Sequence, residues 1–221
     1  PYEDKSYAHS FANEGIPTYV RVVKDIDENE IVQGMTPDDD CDQTRELCEV
    51  LMKKHGQKVT LNGTCQGGYI CLMNTLSGKL TEVSDTIITN VAPIDGTHSD
   101  AISGMPTMHH DFITHTLPNG GKVANGYMLS LGMRFVAIDR ETPLIKVLDQ
   151  ASLQRATELN PGNTVAALFR WLLKERVHLP LGIAKMSTCT FHEPISEDGV
   201  LPVTLYDKPL KVADLKDLGV K

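Results

Sequence analysis

The sequence predicts an α/β protein, with a doubly wound, mostly parallel sheet and a mainly helical cap inserted into it. Three observations lead there. Residues 1–97 alternate helix-like and strand-like patterns; a glycine-rich turn joins one of those strands to an apolar helix; and beyond that point the alternation stops for about ninety residues before an extended segment returns. The expected organisation is a core at 1–97, a cap at 98–187 and a return to the core at 188–221.

The core elements follow from local chemistry. Tyr7 and Phe11, with Ala8 and Ala12, recur at helical spacing over Tyr2 to Glu14, and Gly15 closes that helix. Pro17 to Val23 is β-branched and aromatic, so it is expected as a strand. Asp25 to Pro37 is a polar loop. Asp38, Asp39 and Asp40 then offer an N-cap and first-turn acids, while Lys53, Lys54 and His55 fill the last turn before Gly56. Leu47, Cys48, Val50 and Leu51 are the expected buried stripe. Helix capping accounts for the three aspartates without a metal. Val59 to Leu61 reads as a strand, Tyr69 to Leu76 as a helix ended by Gly78, and Asp85 to Val91 as another buried strand. Such βαβ units form parallel sheets, and ligands bind at the C-terminal ends of their strands. Cys65 and the turn Ala92–Gly96 both lie there.

The most informative stretch is Gly63-Thr64-Cys65-Gln66-Gly67-Gly68. A strand that turns sharply into a helix strains its central residue and pushes that side chain outward, the arrangement of a nucleophile elbow. Gly63 and Gly67 occupy the places where strand and helix backbones converge, and Gly68 lets the helix lie close to the sheet. The helix N-terminus brings backbone N–H groups beside the sulfur, which suits an anionic centre. The competing reading makes Cys65 a small, inert core residue.

Composition narrows the class. A 41% hydrophobic and 23% charged chain of 221 residues can bury a substantial core. The net charge of −8 argues against nucleic acid as a partner. No apolar run reaches membrane-spanning length; Val165 to Leu173 is interrupted by Arg170. The five cysteines are too few and irregular for a disulfide framework, and seven helical residues put Cys41 and Cys48 about 10 Å apart. A reducing, cytoplasmic setting fits. No signal peptide is recognisable, and the start at Pro1 suggests a trimmed product or fragment.

Within 98–187, helical patterns are expected at Met105–His115, Tyr127–Phe135, Ile145–Leu159 and Thr164–Val177, with a turn at Pro118-Asn119-Gly120-Gly121. Met105, Met108, Met128 and Met133 could line an acyl channel or be ordinary core. His109, His110, Asp111 and His115 match no metal-ligand spacing. Val203 to Tyr206 is expected to be extended, and Lys208 to Lys216 to form a helix leading toward a further strand.

The box Gly63-Thr64-Cys65-Gln66-Gly67-Gly68 resembles the Gly-x-Cys-x-Gly-Gly box of polyhydroxyalkanoate synthases, within the α/β-hydrolase superfamily. The order of strand, acid-capped helix, cysteine elbow, strand and helical insertion agrees with that family, as does the return segment Leu205-Tyr206-Asp207-Lys208-Pro209-Leu210-Lys211. The tryptophan–asparagine run of the family's cap has no counterpart, since Trp171 is the sole tryptophan and no asparagine follows it.

The resemblance implies an acyltransferase that moves 3-hydroxyacyl groups from CoA thioesters to a hydroxyl through an acyl-Cys65 intermediate, with the Gln66 backbone N–H as an oxyanion donor. It implies a nucleophile–acid–histidine order. His192 is the base candidate within the chain and Asp95 an acid candidate, while the family's own acid and histidine are expected past Lys221 and a second oxyanion donor before Pro1. The reaction needs no cofactor. Its substrate is a small acyl-CoA or ester, and a homodimer is compatible with it. The alternatives are a hydrolase on the same scaffold, a thioesterase or esterase using water, and a non-catalytic relative.

Overall fold

The structure is a computed structural model, and it describes residues 6–99, 103, 113–130 and 177–221. It is a mixed α/β arrangement with one small parallel sheet and short antiparallel sheets. The first described helix, α1 (Tyr7–Asn13), is capped by the Ser6 hydroxyl, and the chain reverses at Gly15 with φ 78°. A single turn, α2 (Glu30–Gln33), follows, capped by Asn29.

The next helix, α3 (Pro37–His55), has its N-cap two residues before the first of the three aspartates, all of which lie in its first turn. Thr36 is its N-cap: Asp39 N–H donates to Thr36 Oγ1 at 3.2 Å, and Thr36 N–H donates back to Asp39 Oδ2 at 2.9 Å. Pro37 at N1 presets the helical φ, which is why the start falls there. Gly56 closes the helix in the left-handed region at φ 69°. The buried face is Asp40, Cys41, Thr44, Cys48 and Leu51; Val50, expected inside, is 61% exposed. The buried face meets Asn74 and Ser77 through Asp40 and Cys41, and Leu80 and Val83 through Cys48, rather than a purely apolar wall.

The parallel sheet is β1 (Val59–Thr64) beside β2 (Ser84–Asn90), in register from Thr60 opposite Thr86 to Thr64 opposite Asn90. Their crossover is α4 (Gln66–Leu76), which packs on both strands. Beyond the first edge, Lys221 N–H donates to Asp85 O at 2.9 Å and Ile87 N–H donates to Lys221 O at 3.0 Å. Those two bonds are the slanted pattern of a parallel pair, so the 221 end meets β2 as a strand would.

Two expected strands are corrected. Pro17–Val23 forms no regular secondary structure and pairs with no strand among the described residues, leaving Val20 67% and Val22 81% exposed. Its β-branched composition favours extended backbone, but a strand also needs a ladder beside it. Side chains hold it instead: Arg21 reaches Asp40 and Thr44, and Tyr19 Oη meets His55 Nε2 at 2.7 Å. β2 is not buried either. Only Ser84 is fully covered, because α4 shields one face and the other is largely open among the described residues.

The Pro118–Gly121 turn joins β3 (Thr114–Thr116) to β4 (Lys122–Ala124), and β5 (Leu179–Pro180) completes a three-stranded antiparallel sheet. His115 therefore lies on a strand, not on the helix expected to reach it, since its backbone pairs with Val123. Residues 126–130 are helical. The expected helices at Ile145–Leu159 and Thr164–Val177, and most of the other two, lie outside the described residues.

Helix α5 (Leu181–His192) leads into the hairpin β6 (Val200–Leu205) and β7 (Lys208–Lys211). Tyr206 and Asp207 both have positive φ, 51° and 56°, the geometry of a two-residue hairpin turn. The turn sends Lys208–Lys211 back as a strand, so the helix expected over Lys208–Lys216 is replaced by β7 and a 3₁₀ segment, Val212–Lys216. The hairpin is fastened to α3: Tyr206 N–H donates to Asp38 Oδ1 at 2.9 Å, its hydroxyl to Asp42 Oδ1 at 2.7 Å, and Lys79 Nζ sits 3.5 Å above its ring.

The main core lies between α4, α5 and the hairpin. Tyr69, Leu72, Met73 and Leu76 meet Ile183 and Met186, with Leu201, Leu205 and Leu210 closing the far side. Under it runs a polar junction. Asp40, 4% exposed, accepts from Arg21 Nη1 at 2.6 Å and from the fully buried Asn74 Nδ2 at 3.1 Å. Replacing Asp40 with Ala strands the buried Asn74 amide and leaves Arg21 only Thr44 and Gln43 as acceptors. The expected loss is about 2–4 kcal/mol, reduced from the fully buried case because Arg21 is partly solvated. A urea midpoint that does not move would show that the junction contributes nothing.

Candidate active site

The site is built from the junction of β1 and α4. Cys65 occupies it with φ 56° and ψ −126°, a region that non-glycine residues rarely adopt. Holding it there costs on the order of 1–3 kcal/mol. The surroundings supply the constraint. Cys65 N–H continues the sheet by donating to Asn90 O at 2.8 Å, while its C=O already accepts from Gly68 N–H at 3.0 Å as the first bond of the helical turn. One residue is thus the last of a strand and the cap of a helix. Its side chain is exposed, which removes the reading of Cys65 as an inert core thiol.

The glycines divide differently from the sequence expectation. A Cβ on Gly63 would lie 2.3 Å from Gly67 O and 2.6 Å from Gly68 N, and one on Gly68 would lie 2.7 Å from Ala92 Cβ. A Cβ on Gly67 would meet nothing within 4 Å. Close approach therefore requires glycine at 63 and 68, whereas at Gly67 it is the backbone, not the missing side chain, that touches the strand.

Gln66 is the first residue of α4, so its backbone N–H has no acceptor within the helix. Its side chain does something the sequence did not signal: Gln66 Nε2 donates to Ser187 Oγ on α5, and Ser187 Oγ donates onward to Ile183 O at 2.9 Å.

Asp95 lies in the turn after β2 and caps the short 3₁₀ segment Gly96–His98, its Oδ1 accepting from Thr97 N–H at 3.0 Å and from the Thr97 hydroxyl. Its Oδ2 accepts from Ile195 N–H at 3.2 Å, with His98 Nε2 at 3.8 Å. The Thr97 hydroxyl, chiefly, holds the carboxyl below the usual aspartate range. His192 is half-buried in the last turn of α5, three residues before Ile195. Asp95 and His192 are thus on neighbouring segments, but no hydrogen bond joins them or either one to Cys65 among the described residues. His109, His110 and Asp111, and Met105, Met108 and Met133, lie outside those residues. His115 stacks on His178 at 4.9 Å between ring centroids, and His178 Nδ1 accepts from Gly126 N–H.

The remaining cysteines differ in kind. Cys41 and Cys48 are buried and Cys71 and Cys189 half-buried; burial raises all four thiols, Cys71 to about 11. At pH 8 a thiol of that pKa is ionised to about one part in a thousand. Brief iodoacetamide treatment of the folded protein at pH 8 should therefore alkylate Cys65 well ahead of the other four, read by peptide mass. Equal labelling at Cys71 would contradict the arrangement.

A cleft of about 380 Å³ lined by Glu30, Gln33, Gly34, Asn119, Gly121 and Lys122 shares no residue with the elbow, and its polar lining does not suit an acyl chain. Among the described residues no helix is long and apolar enough to cross a membrane. Comparison with known proteins finds no matching family model, no matching characterised protein and no matching solved structure.

Proposed function

We propose that the protein is a cysteine-nucleophile acyltransferase of the polyhydroxyalkanoate synthase type, on an α/β-hydrolase-like core. The observation that carries this reading is the exposed Cys65 at φ 56°, ψ −126° between a parallel strand and a helix N-terminus. Strain at an exposed cysteine has no packing benefit, and such strain concentrates at reacting centres. In the first half-reaction the Cys65 thiolate attacks the carbonyl of a 3-hydroxyacyl-CoA. The carbonyl–sulfur bond of the thioester breaks, an acyl-Cys65 thioester forms, and CoA leaves as its thiolate. The Gln66 N–H stabilises the tetrahedral oxyanion. In the second, an acceptor hydroxyl attacks acyl-Cys65, its proton passes to a histidine base, an ester forms and the Cys65 thiolate is regenerated. His192 is the base candidate among the described residues, and Asp95 the acid candidate. Exchange of one thioester for another is nearly even in energy, which keeps the acyl group activated for transfer.

The test is to incubate the protein with 3-hydroxybutyryl-CoA, quench with acid, and map the added mass. Acylation confined to the Cys65 peptide, with oligoester as product, is the expected result. Acyl-Cys65 with free 3-hydroxybutyrate as product would move the assignment to a hydrolase. No acyl adduct from this or longer-chain thioesters would remove the reading.

A further inference from the structure

We infer that Ser187 is a positioning residue for the oxyanion donor of Gln66, so that acyl transfer at Cys65 depends on α5 being docked against the elbow. The inference rests on the acyl-Cys65 reading and extends it to a residue that no motif singles out.

The bond between Gln66 and Ser187 spans 121 positions of sequence and is partly buried. Its direction is determined. The Ser187 hydroxyl has one proton, which it gives to Ile183 O at 2.9 Å, so it can only accept from Gln66, and Gln66 must present its amide nitrogen. The result is a one-way relay from the elbow to the backbone of α5. Gln66 is held at both ends, by the strained Cys65–Gln66 peptide and by Ser187. The orientation of that peptide fixes where the Gln66 N–H points.

A second fastening lies farther along the same element. Just beyond α5, Ile195 N–H donates to Asp95 Oδ2 at 3.2 Å, and α5 packs on the 3₁₀ segment 96–98. The two turns at the C-terminal ends of β1 and β2 are thus each tied to α5 or its exit. Ile183 and Met186 meanwhile seat the helix on Tyr69 and Met73 of α4. Apolar packing alone would hold α5 in place without addressing the elbow; the Gln66–Ser187 bond is the contact that makes the elbow sense it.

Oxyanion stabilisation is steeply dependent on donor direction, whereas direct alkylation of a thiol develops no oxyanion. This separates a positioning role from a merely structural one. The probes are p-nitrophenyl acetate, whose carbonyl carbon bonds to Cys65 Sγ as p-nitrophenolate leaves, and iodoacetamide. In Ser187→Ala, kcat for acylation should fall about 10- to 100-fold with KM changed less than about threefold, and iodoacetamide alkylation of Cys65 should stay within about twofold. Ser187→Thr, which keeps the hydroxyl, should recover most of the rate. Gln66→Ala removes the same bond from the other side and should reproduce the pattern, which keeps the test valid if Ser187→Ala folds poorly.

A Ser187→Ala protein that acylates at the wild-type rate overturns the inference, and so does an equal slowing of ester and iodoacetamide reactions in both variants. If wild type is not acylated at all, or Cys65→Ala is acylated equally, the acyl-Cys65 reading fails and the inference falls with it.

Discussion

Replacing Cys65 with Ala should abolish acyl-enzyme formation and lower CoA release from 3-hydroxybutyryl-CoA by at least about 10⁴-fold, the scale seen when a covalent nucleophile is removed. The protein should fold, and its stability should hold or rise. Cys65 is exposed, so its loss opens no cavity, and the strain at φ 56° belongs to the backbone position rather than to the sulfur. Cys65→Gly should be the most stable of the three proteins, because glycine adopts positive φ without steric cost. A matched pair of outcomes is therefore expected: activity lost and stability kept. Stability is read by urea unfolding and activity by thiol release with a CoA-specific chromophore. Cys65→Ser is expected to lose at least about 100-fold, since a hydroxyl is far less ionised than a thiol and no base lies within hydrogen-bond distance of it among the described residues. Residual CoA release in Cys65→Ala above about 1% of wild type would assign the chemistry to another group.

The second large effect concerns Gly63, two residues before Cys65 on β1. Gly63→Ala would place a methyl carbon 2.3 Å from Gly67 O and 2.5 Å from Gly67 C. Both are backbone atoms at the start of α4, so no side chain can swing aside. The only relief is to lift α4 from β1, which disturbs the Tyr69 and Met73 packing farther along the same helix. We expect a loss of at least about 3 kcal/mol, and loss of Cys65 acylation even where the protein remains folded. Gly67→Ala is the control. Its Cβ meets nothing within 4 Å and it lies in the first turn of a helix, so the substitution should be neutral or stabilising by up to about 1 kcal/mol. If both alanines cost the same, close backbone approach is not the reason for the glycine at 63.

The elements that the sequence specified were those governed by neighbours in the chain. Gly15, Gly56 and Gly78 each take positive φ at helix ends, as their positions implied. The β1–Cys65–α4 junction was legible because its constraint is steric and local: a strand running straight into a helix leaves the central residue few conformations. For the same reason the turn at Pro118–Gly121 could be placed without knowing its partners. The start of α3 was misplaced because Thr36, Asp38, Asp39 and Asp40, four residues within five positions, can all cap, and only the reciprocal bonds of Thr36 and Asp39 choose among them.

What needed the third dimension was everything set by distant chain. The β-branched run Pro17–Val23 has strand chemistry, but pairing is a property of two segments, and Arg21 ties it to Asp40 of α3 instead. Lys208–Lys211 has a pattern open to helix or strand, which the positive φ of Tyr206 and Asp207 resolves as a hairpin return. Asp95 reads as an acid at a strand end, yet its carboxylate is occupied by Thr97 and Ile195. The Gln66–Ser187 bond leaves no trace in sequence, because serine on a helix is unremarkable until α5 is laid beside the elbow. The sequence by itself determined the strained cysteine, since backbone sterics act over a few residues. Only the tertiary structure decided what surrounds it, since hydrogen bonds between remote segments depend on how helices and strands pack.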